Sequence, residues 1–390
     1  MEEKESQKKD EKSDGLVKNE EEEMPVNGSS SKDLLSELLP LEGTVPSTYT
    51  PRVFVSDNEK GYTYCLFSVK SKSISQLFRL NMRDMRWEEL SLRHYPSDIF
   101  QEPQSALPYR ESPGVALFGP KEHHRLLLIG GRDHEGHIQT DDFWCLDVEK
   151  LVWSKFQIEG GSIPPSWNAK CVVVRDKLYV FGGHDEWRKT LRSYSLAIFD
   201  PSNKTWSWQI KAHALPPKLK ANIMVSSLYG GQKILVLGSS KDVQVSGDDN
   251  PRYSITKDQV FTFDPSTHIF AQDVHGHGDF PTSFEWHHVR LRPFKNTGSV
   301  VLFTLSMDKD HFSVWHYQSF PENRWNLLWK NRCLGDAKVE MRDIMCHGGK
   351  AYVIVQDKRG KAPRSLCRLN AYVDLERLIA TRTGGEKQTL

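Results

Sequence analysis

From about Arg52 onward the chain alternates short apolar runs with polar punctuation. Tyr64–Val69, Arg125–Ile129, Cys171–Val174, Leu178–Phe181, Ile234–Leu237, Val300–Leu305 and Ala351–Val355 are examples of runs four to eight residues long. They are rich in Val, Ile, Leu, Phe and Tyr, and Gly, Pro, Asn, Asp or Ser separates them. That texture predicts many short strands. No stretch sustains a helical period, so the crossover helices of a parallel sheet have no sequence to form from. Residues 1–45 read differently. No aromatic residue precedes Tyr49, and residues 1–40 hold six Lys against twelve Asp or Glu. Such a segment buries too little apolar area to offset its chain entropy and is read as a disordered tail. Within it, Leu34, Leu35, Leu38 and Leu39 fall at helical spacing, so Lys32–Leu39 is either a short docking helix or a spacer.

The strand-rich part repeats itself. Leu80-Asn81 is followed by Trp87, Leu146-Asp147 by Trp153, Phe199-Asp200 by Trp206 and Phe263-Asp264 by Phe270, each with six residues between the first residue and the closing aromatic. A fifth copy, Tyr317-Gln318 to Trp325, has seven. A sixth, Leu369-Asn370, has no aromatic, and Leu375 or Leu378 is the expected substitute. A second element precedes these copies. Leu126–Ile129 ends in Gly130-Gly131 and Leu178–Phe181 in Gly182-Gly183, while Ile234–Leu237 ends in Gly238-Ser239. A glycine pair lets the backbone take positive φ and approach its neighbour closely. The closing aromatic then has small residues to pack over.

Glycine pair, six-residue gap and Trp together resemble the kelch repeat family, most closely at Arg125–Trp153 and Lys177–Trp206. The resemblance covers about 51–380 and implies an all-β fold, a six-bladed kelch-type β-propeller. Its blades fall near 51–92, 110–158, 166–211, 219–274, 284–330 and 337–381, inside a propeller of 46–382 with a short tail at 383–390. Either terminus could supply the strand that closes the ring.

Composition narrows the function classes. Lys plus Arg total 52 and Asp plus Glu 51, and outside the acidic first 40 residues the excess is only seven positive charges. That is weak for a general polyanion binder, so nucleic acid is not an expected partner. No apolar run approaches a bilayer span, and Met1–Asp14 carries no apolar core of a signal peptide. Six scattered cysteines with no CxxC fit reduced thiols in a cytosolic or nuclear protein.

Function is expected on the face holding the loops between second and third strands and the connections between blades. That face would carry Arg132, His134, His137, Trp187, Arg188, Lys189, Arg192, Arg252, Tyr253, Arg359 and Arg364. Arginine beside Trp or Tyr is the residue set that anchors partner side chains and carboxylates. The expected ligand is therefore an acidic or C-terminal segment of another protein. The His pairs 123/124, 134/137, 275/277 and 287/288 lack metal-ligand spacing, and no HExxH, GxSxG or phosphate-binding glycine loop is present. No metal or cofactor is expected. The reading is a non-catalytic interaction module, possible as a scaffold or substrate receptor. The alternative, implied by enzymes that share the fold, is an epimerase- or oxidase-like site at the propeller axis.

Overall fold

In the computed structural model the described residues lie between Leu38 and Ile379 and comprise the strands and many of their turns. Residues 1–37 and 380–390, and loops including 95–106, 156–166, 184–195, 243–251, 333–338 and 358–367, lie outside the described residues.

The repeated dipeptide and its aromatic are cross-strand partners. Leu80 pairs with Trp87, Leu146 with Trp153, Phe199 with Trp206, Phe263 with Phe270 and Tyr317 with Trp325, always between the third and fourth strands of a sheet. The constant gap is the length of the hairpin that joins them. The polar residue after the first apolar one fixes that hairpin. Asp147 Oδ1 accepts from the backbone N–H of Glu149 and Lys150, Asp264 Oδ1 from Ser266 and Thr267, and Asn81 Oδ1 from Arg83. The turn closes through a residue with positive φ: Met85 (53°), Leu151 (57°), His268 (59°) and Asn323 (44°). The fifth copy fits its extra residue into the turn and keeps the same pairing.

Among the described residues six sheets of four or more strands follow in chain order, with one separate two-stranded hairpin. Sheet 1 is Thr50–Asp57, Tyr62–Val69, Ile74–Asn81 and Arg86–Glu89. Sheet 2 is Gly114–Phe118, Arg125–Ile129, Phe143–Asp147 and Val152–Lys155. Sheet 3 is Lys170–Val174, Lys177–Phe181, Leu196–Asp200 and Thr205–Gln209. Sheet 4 is Met224–Leu228, Lys233–Leu237, Val260–Asp264 and Ile269–Gln272, with a hairpin, Ser240–Asp242 and Arg252–Ser254, between its second and third strands. Sheet 5 is Arg290–Pro293, Ser299–Leu305, His311–Gln318 and Arg324–Arg332. Sheet 6 is Val339–His347, Lys350–Asp357, Arg368–Asp374 and Leu38–Leu39. Packing is described for the first five, and the sixth is described almost entirely by its backbone.

Each first strand contacts the first strand of the next sheet, and Val339–His347 returns to Thr50–Asp57. The architecture is an all-β propeller. Its cores lie in the seams. Leu66, Leu128, Trp144 and Trp153 fill the seam between sheets 1 and 2. Ile129, Phe143, Val180 and Phe199 fill the next, where Phe143 and Phe199 meet edge to face at 5.0 Å. Phe181, Phe261 and Phe263 fill the seam of sheets 3 and 4, and Leu235, Leu302, Tyr317 and Trp325 that of sheets 4 and 5. Trp87, Trp153 and Trp325 are all buried, Phe270 is half-buried, and the Trp206 side chain lies outside the described residues.

The N-terminal segment takes part in two sheets. Leu39 pairs with Leu369, so of the two termini it is the N-terminal one that supplies a fourth strand to the sixth copy, while Leu375 and Leu378 lie outside the described residues. Leu38–Leu39 is a strand rather than part of a helix, and Glu42–Gly43 runs parallel to Arg86–Trp87 on the outer edge of sheet 1. Gly43 has φ of +89°, and a Cβ there would sit 2.0 Å from the Trp87 carbonyl oxygen. Gly278 repeats the arrangement against Trp325, with φ of +90° and the same 2.0 Å clash. A glycine one blade-length before the closing Trp thus staples the incoming chain to that blade, a spacing too long for a local motif to reveal.

Candidate partner-binding face

The glycine pairs build the face. Gly130 and Gly131 have φ of 58° and 91°, and Gly182 and Gly183 have 63° and 107°. The turn after Ile129 lays Arg132 beside the connection entering the same sheet, where Glu111 and Arg132 exchange backbone N–H···O bonds of 2.8 and 3.0 Å. A Cβ on Gly131 would lie 3.0 Å from the Glu111 carbonyl oxygen, so only glycine allows this approach. The connection entering sheet 3 joins the same cluster, because Asn168 N–H donates to the Ser112 carbonyl at 2.7 Å. Ser112 (φ 47°) and Asn168 (φ 62°) both hold the left-handed conformation, a strain maintained by the surrounding bonds.

The Arg132 guanidinium lies 3.9 Å from the centroid of the Trp167 ring. Trp167 belongs to the connection entering sheet 3, so this cation–π contact crosses the seam between sheets 2 and 3. Arg110 is 6% exposed and donates to the Tyr109 carbonyl at 2.7 Å. Burial pushes its guanidinium down to about 10, against the pull of the Asp133 negative charge. Asp133 organises the tip of the Arg132 loop. Burial alone would raise its carboxyl, but the N–H groups of His137, Glu135 and Gly136 and the charge of His137 hold it below its ordinary value. His134 and His137 sit 3.7 and 3.3 Å from Glu135, on the exposed side of that loop.

Further toward the axis, Lys170 is half-buried at the start of the innermost strand of sheet 3 and donates to Asn168 Oδ1 at 2.7 Å. Burial, then the positive charge of Arg290, pushes its amine down to about 8. Gly114, across the seam, is the close neighbour: a Cβ there would be 2.7 Å from Cys171 Sγ.

Of the sequence-derived binding residues, Arg132 and His134 lie on this cluster. Arg252 and Tyr253 are placed by backbone only, opposite Asp242 and Lys241 in the sheet-4 hairpin. Trp187, Arg188, Lys189, Arg192, Arg359 and Arg364 lie outside the described residues. Trp167, Arg110, Lys170 and Asn168 were not legible as site residues. The available signal was a Trp outside the repeat register, in Ser166-Trp167-Asn168 after Pro164-Pro165. Among the described residues no group of three His, Cys, Asp or Glu converges as metal ligands. The 123/124 pair splits: His124 Nδ1 lies 2.5 Å from buried Asp57 Oδ2, and exposed His123 lies 3.9 Å from Glu149.

A family profile for the KLHDC2/KLHL20/DRC7 Kelch-repeats domain matches residues 99–292, the stretch that carries both glycine pairs. The chain belongs to the kelch-repeat family. Among curated proteins, this kelch chain is 26% identical over 165 residues to Kelch domain-containing protein 1 of Mus musculus, covering 38% of the chain and 40% of the relative. It is 30% identical over 122 residues to the Rab9 effector protein with kelch motifs of Mus musculus, covering 30% and 29%. Against Kelch domain-containing protein 2 of Bos taurus the figures are 25% over 210 residues, covering 49% and 50%. The matched stretch therefore spans half or less of each of these relatives.

Proposed function

We propose that this kelch propeller is a non-catalytic interaction module in the cytosol or nucleus whose loop face binds a segment of another protein. The reading takes the six sheets as six blades, the last sealed by Leu38–Leu39. The observation that carries it is the Arg132–Trp167 stack across the seam of sheets 2 and 3. Flattening a guanidinium on an indole costs side-chain freedom and leaves its outward edge to fork onto a carboxylate. The neighbouring Arg110 and Lys170 add positive charge, so the ligand is an acidic or C-terminal segment. The name of the Rab9 effector relative, which denotes a protein that acts through another protein, supports a protein partner rather than a small substrate. A scaffold or substrate-receptor role follows from such binding.

The test is affinity purification with the native chain, Arg132→Ala, and the double variant Arg188→Glu with Arg192→Glu. Each variant is expected to weaken capture of the main partner by more than about 2 kcal/mol, with thermal stability unchanged. A partner that is retained in full by both variants, or that maps to the outer blade edges, overturns the reading.

A further inference from the structure

The outer edges of the sheets are not finished alike. In sheets 1, 2 and 5 a two-residue strand lies parallel to the fourth strand: Glu42–Gly43 against Arg86–Trp87, Arg93–His94 against Val152–Trp153 and His277–Gly278 against Arg324–Trp325. In each the second residue of the added strand stands opposite the closing Trp. In sheets 1 and 5 that residue is a glycine, because the Trp carbonyl leaves no room for a Cβ. Under this cover Trp87, Trp153 and Trp325 are 1%, 3% and 1% exposed. Sheet 4 differs. Among the described residues its order ends at the fourth strand, Ile269–Gln272, with no strand paired outside it. Its closing aromatic, Phe270, is only half-buried. Ile269 is 62% exposed, the one large apolar side chain so exposed among the described residues.

The backbone of this edge is set for a further strand. Asp273 N–H donates inward to the Val260 carbonyl at 2.8 Å. The two-residue period of an antiparallel ladder then turns Ala271 inward as well, and leaves the N–H and C=O of Phe270 and Gln272 facing outward. The covered fourth strands carry charge, at Arg86, Glu88 and Glu89 in sheet 1, Lys155 in sheet 2 and Arg324 in sheet 5. Ile269-Phe270-Ala271-Gln272 carries none, and it lacks the Lys or Pro that blunts an exposed edge. An unblunted edge of this kind suits strand addition. The three covered sheets define the strand that fits: parallel, extended, with its second residue opposite the aromatic and a glycine favoured there. Glu42 stands opposite Arg86, a pairing of opposite charges, and by the same complementarity the residue opposite Ile269 is apolar. The connection entering sheet 4, residues 210–223, contains no glycine. A second copy related by a twofold axis would bring the same strand in antiparallel, the wrong sense for this arrangement.

We infer that the outer edge of sheet 4 is a second protein-binding surface. It takes an extended, uncharged segment of a partner protein as a parallel fifth strand, with an apolar residue opposite Ile269 and a glycine opposite Phe270. This does not rest on the loop-face reading, which concerns other residues and an acidic segment.

The test uses the full-length chain and two synthetic peptides, N-acetyl-Ser-Val-Ile-Gly-Val-Ser amide and the same peptide with Val in place of Gly. At millimolar concentration the glycine peptide is expected to slow hydrogen exchange of the Phe270 and Gln272 amides by about threefold or more. It should also bind about fivefold or more tightly than the Val peptide. Ile269→Lys should weaken binding about fivefold or more while keeping the native thermal midpoint. Gln272→Pro, which removes an outward N–H and leaves the inner ladder intact, should do the same. No peptide binding, equal binding of the two peptides, or binding that survives both substitutions overturns the inference. Phe270 and Gln272 amides already protected without peptide would show that the protein's own chain covers the edge. A concentration-dependent dimer abolished by Ile269→Lys would show that a second copy does. Either result overturns the partner assignment. Arg132→Ala should leave peptide binding unchanged. The loop-face reading therefore stands or falls with Arg132 and this inference with Ile269, and failure of one leaves the other in place.

Discussion

Sheets 2 and 3 differ from sheets 5 and 6 in one respect that organises the rest: where the second strand stops. In sheets 2 and 3 every one of the first three strands has five residues, and the second ends on a glycine pair. In sheet 5 the second to fourth strands have seven, eight and nine residues, and in sheet 6 the first three have nine, eight and seven. Two successive positive φ values turn the backbone out of the ladder, so the glycine pair ends the sheet and brings its loop back to the entering connection. Without it the ladder runs on, and its register shifts between Val314 and Trp315, Met341 and Asp343, and Tyr352 and Val353, where a bulge bends the longer strands. The short sheets thus support a tightly bonded rim that can hold Arg132 against Trp167. The long sheets leave Arg290 and Arg342 on the strands themselves.

The comparison breaks most visibly at the closing aromatics. Trp153 in a short sheet and Trp325 in a long one are 3% and 1% exposed. Each →Ala should cost about 3–5 kcal/mol in denaturant unfolding, because a cavity of indole size cannot collapse in a strand-locked seam. A cost confined to Trp153 would mean that the two kinds of sheet do not share one packing scheme. Next in size is the N-terminal strand. Removing residues 1–30 should leave the thermal midpoint nearly unchanged, whereas removal through Leu39 should cost about 1–3 kcal/mol from the lost backbone pairing. Equal midpoints for the two truncations would show that Leu38–Leu39 does not close sheet 6. Gly131→Ala is expected to cost about 1–3 kcal/mol, since alanine must hold φ near +91° with a Cβ 3.0 Å from a carbonyl oxygen. Gly136, with similar φ but nothing within 4 Å, should cost less on the same change, and reversal of that order would remove the close-approach argument.

The smallest effect is a pH dependence inside a long sheet. His316 is 4% exposed on the third strand of sheet 5, and burial pushes its imidazole down to about 4. The unfolded chain takes up a proton on this residue from about pH 6.5 downward, and the folded chain refuses it until about pH 4. Stability should therefore fall as pH falls through that window, and His316→Gln should flatten the slope there in chemical denaturation measured from pH 7 to 4. An unchanged slope would place the acid sensitivity elsewhere. Lys170 has the opposite range. Its folded value of about 8 lies below the ordinary 10.5, so its contribution makes stability rise between those two pH values.

The strands were legible because their apolar runs are contiguous, and the hairpins because one Asx turn with one left-handed residue sets a constant length, as Asp147 and Leu151 show. The partner for Leu369 was not legible, because Leu39 lies some 330 residues away and carries no pattern of its own. Trp167 was passed over for a related reason: outside the repeat register, an aromatic after two prolines has no assigned neighbour until the seam is built.

By itself the sequence determined the short strands, the register of five cross-strand pairs and the need for glycine at the rim, and its resemblance to the kelch family implied the all-β propeller. The first three follow from local rules, since alternation, turn chemistry and allowed φ act over a few residues. Only the tertiary structure decided that the N-terminal segment completes sheet 6, that Arg132 stacks on Trp167, and that Asn168 bonds back to Ser112 across the seam of sheets 2 and 3. Each of those contacts joins different sheets or opposite ends of the chain, and closing a ring is a condition on all the blades together, to which no single repeat is sensitive.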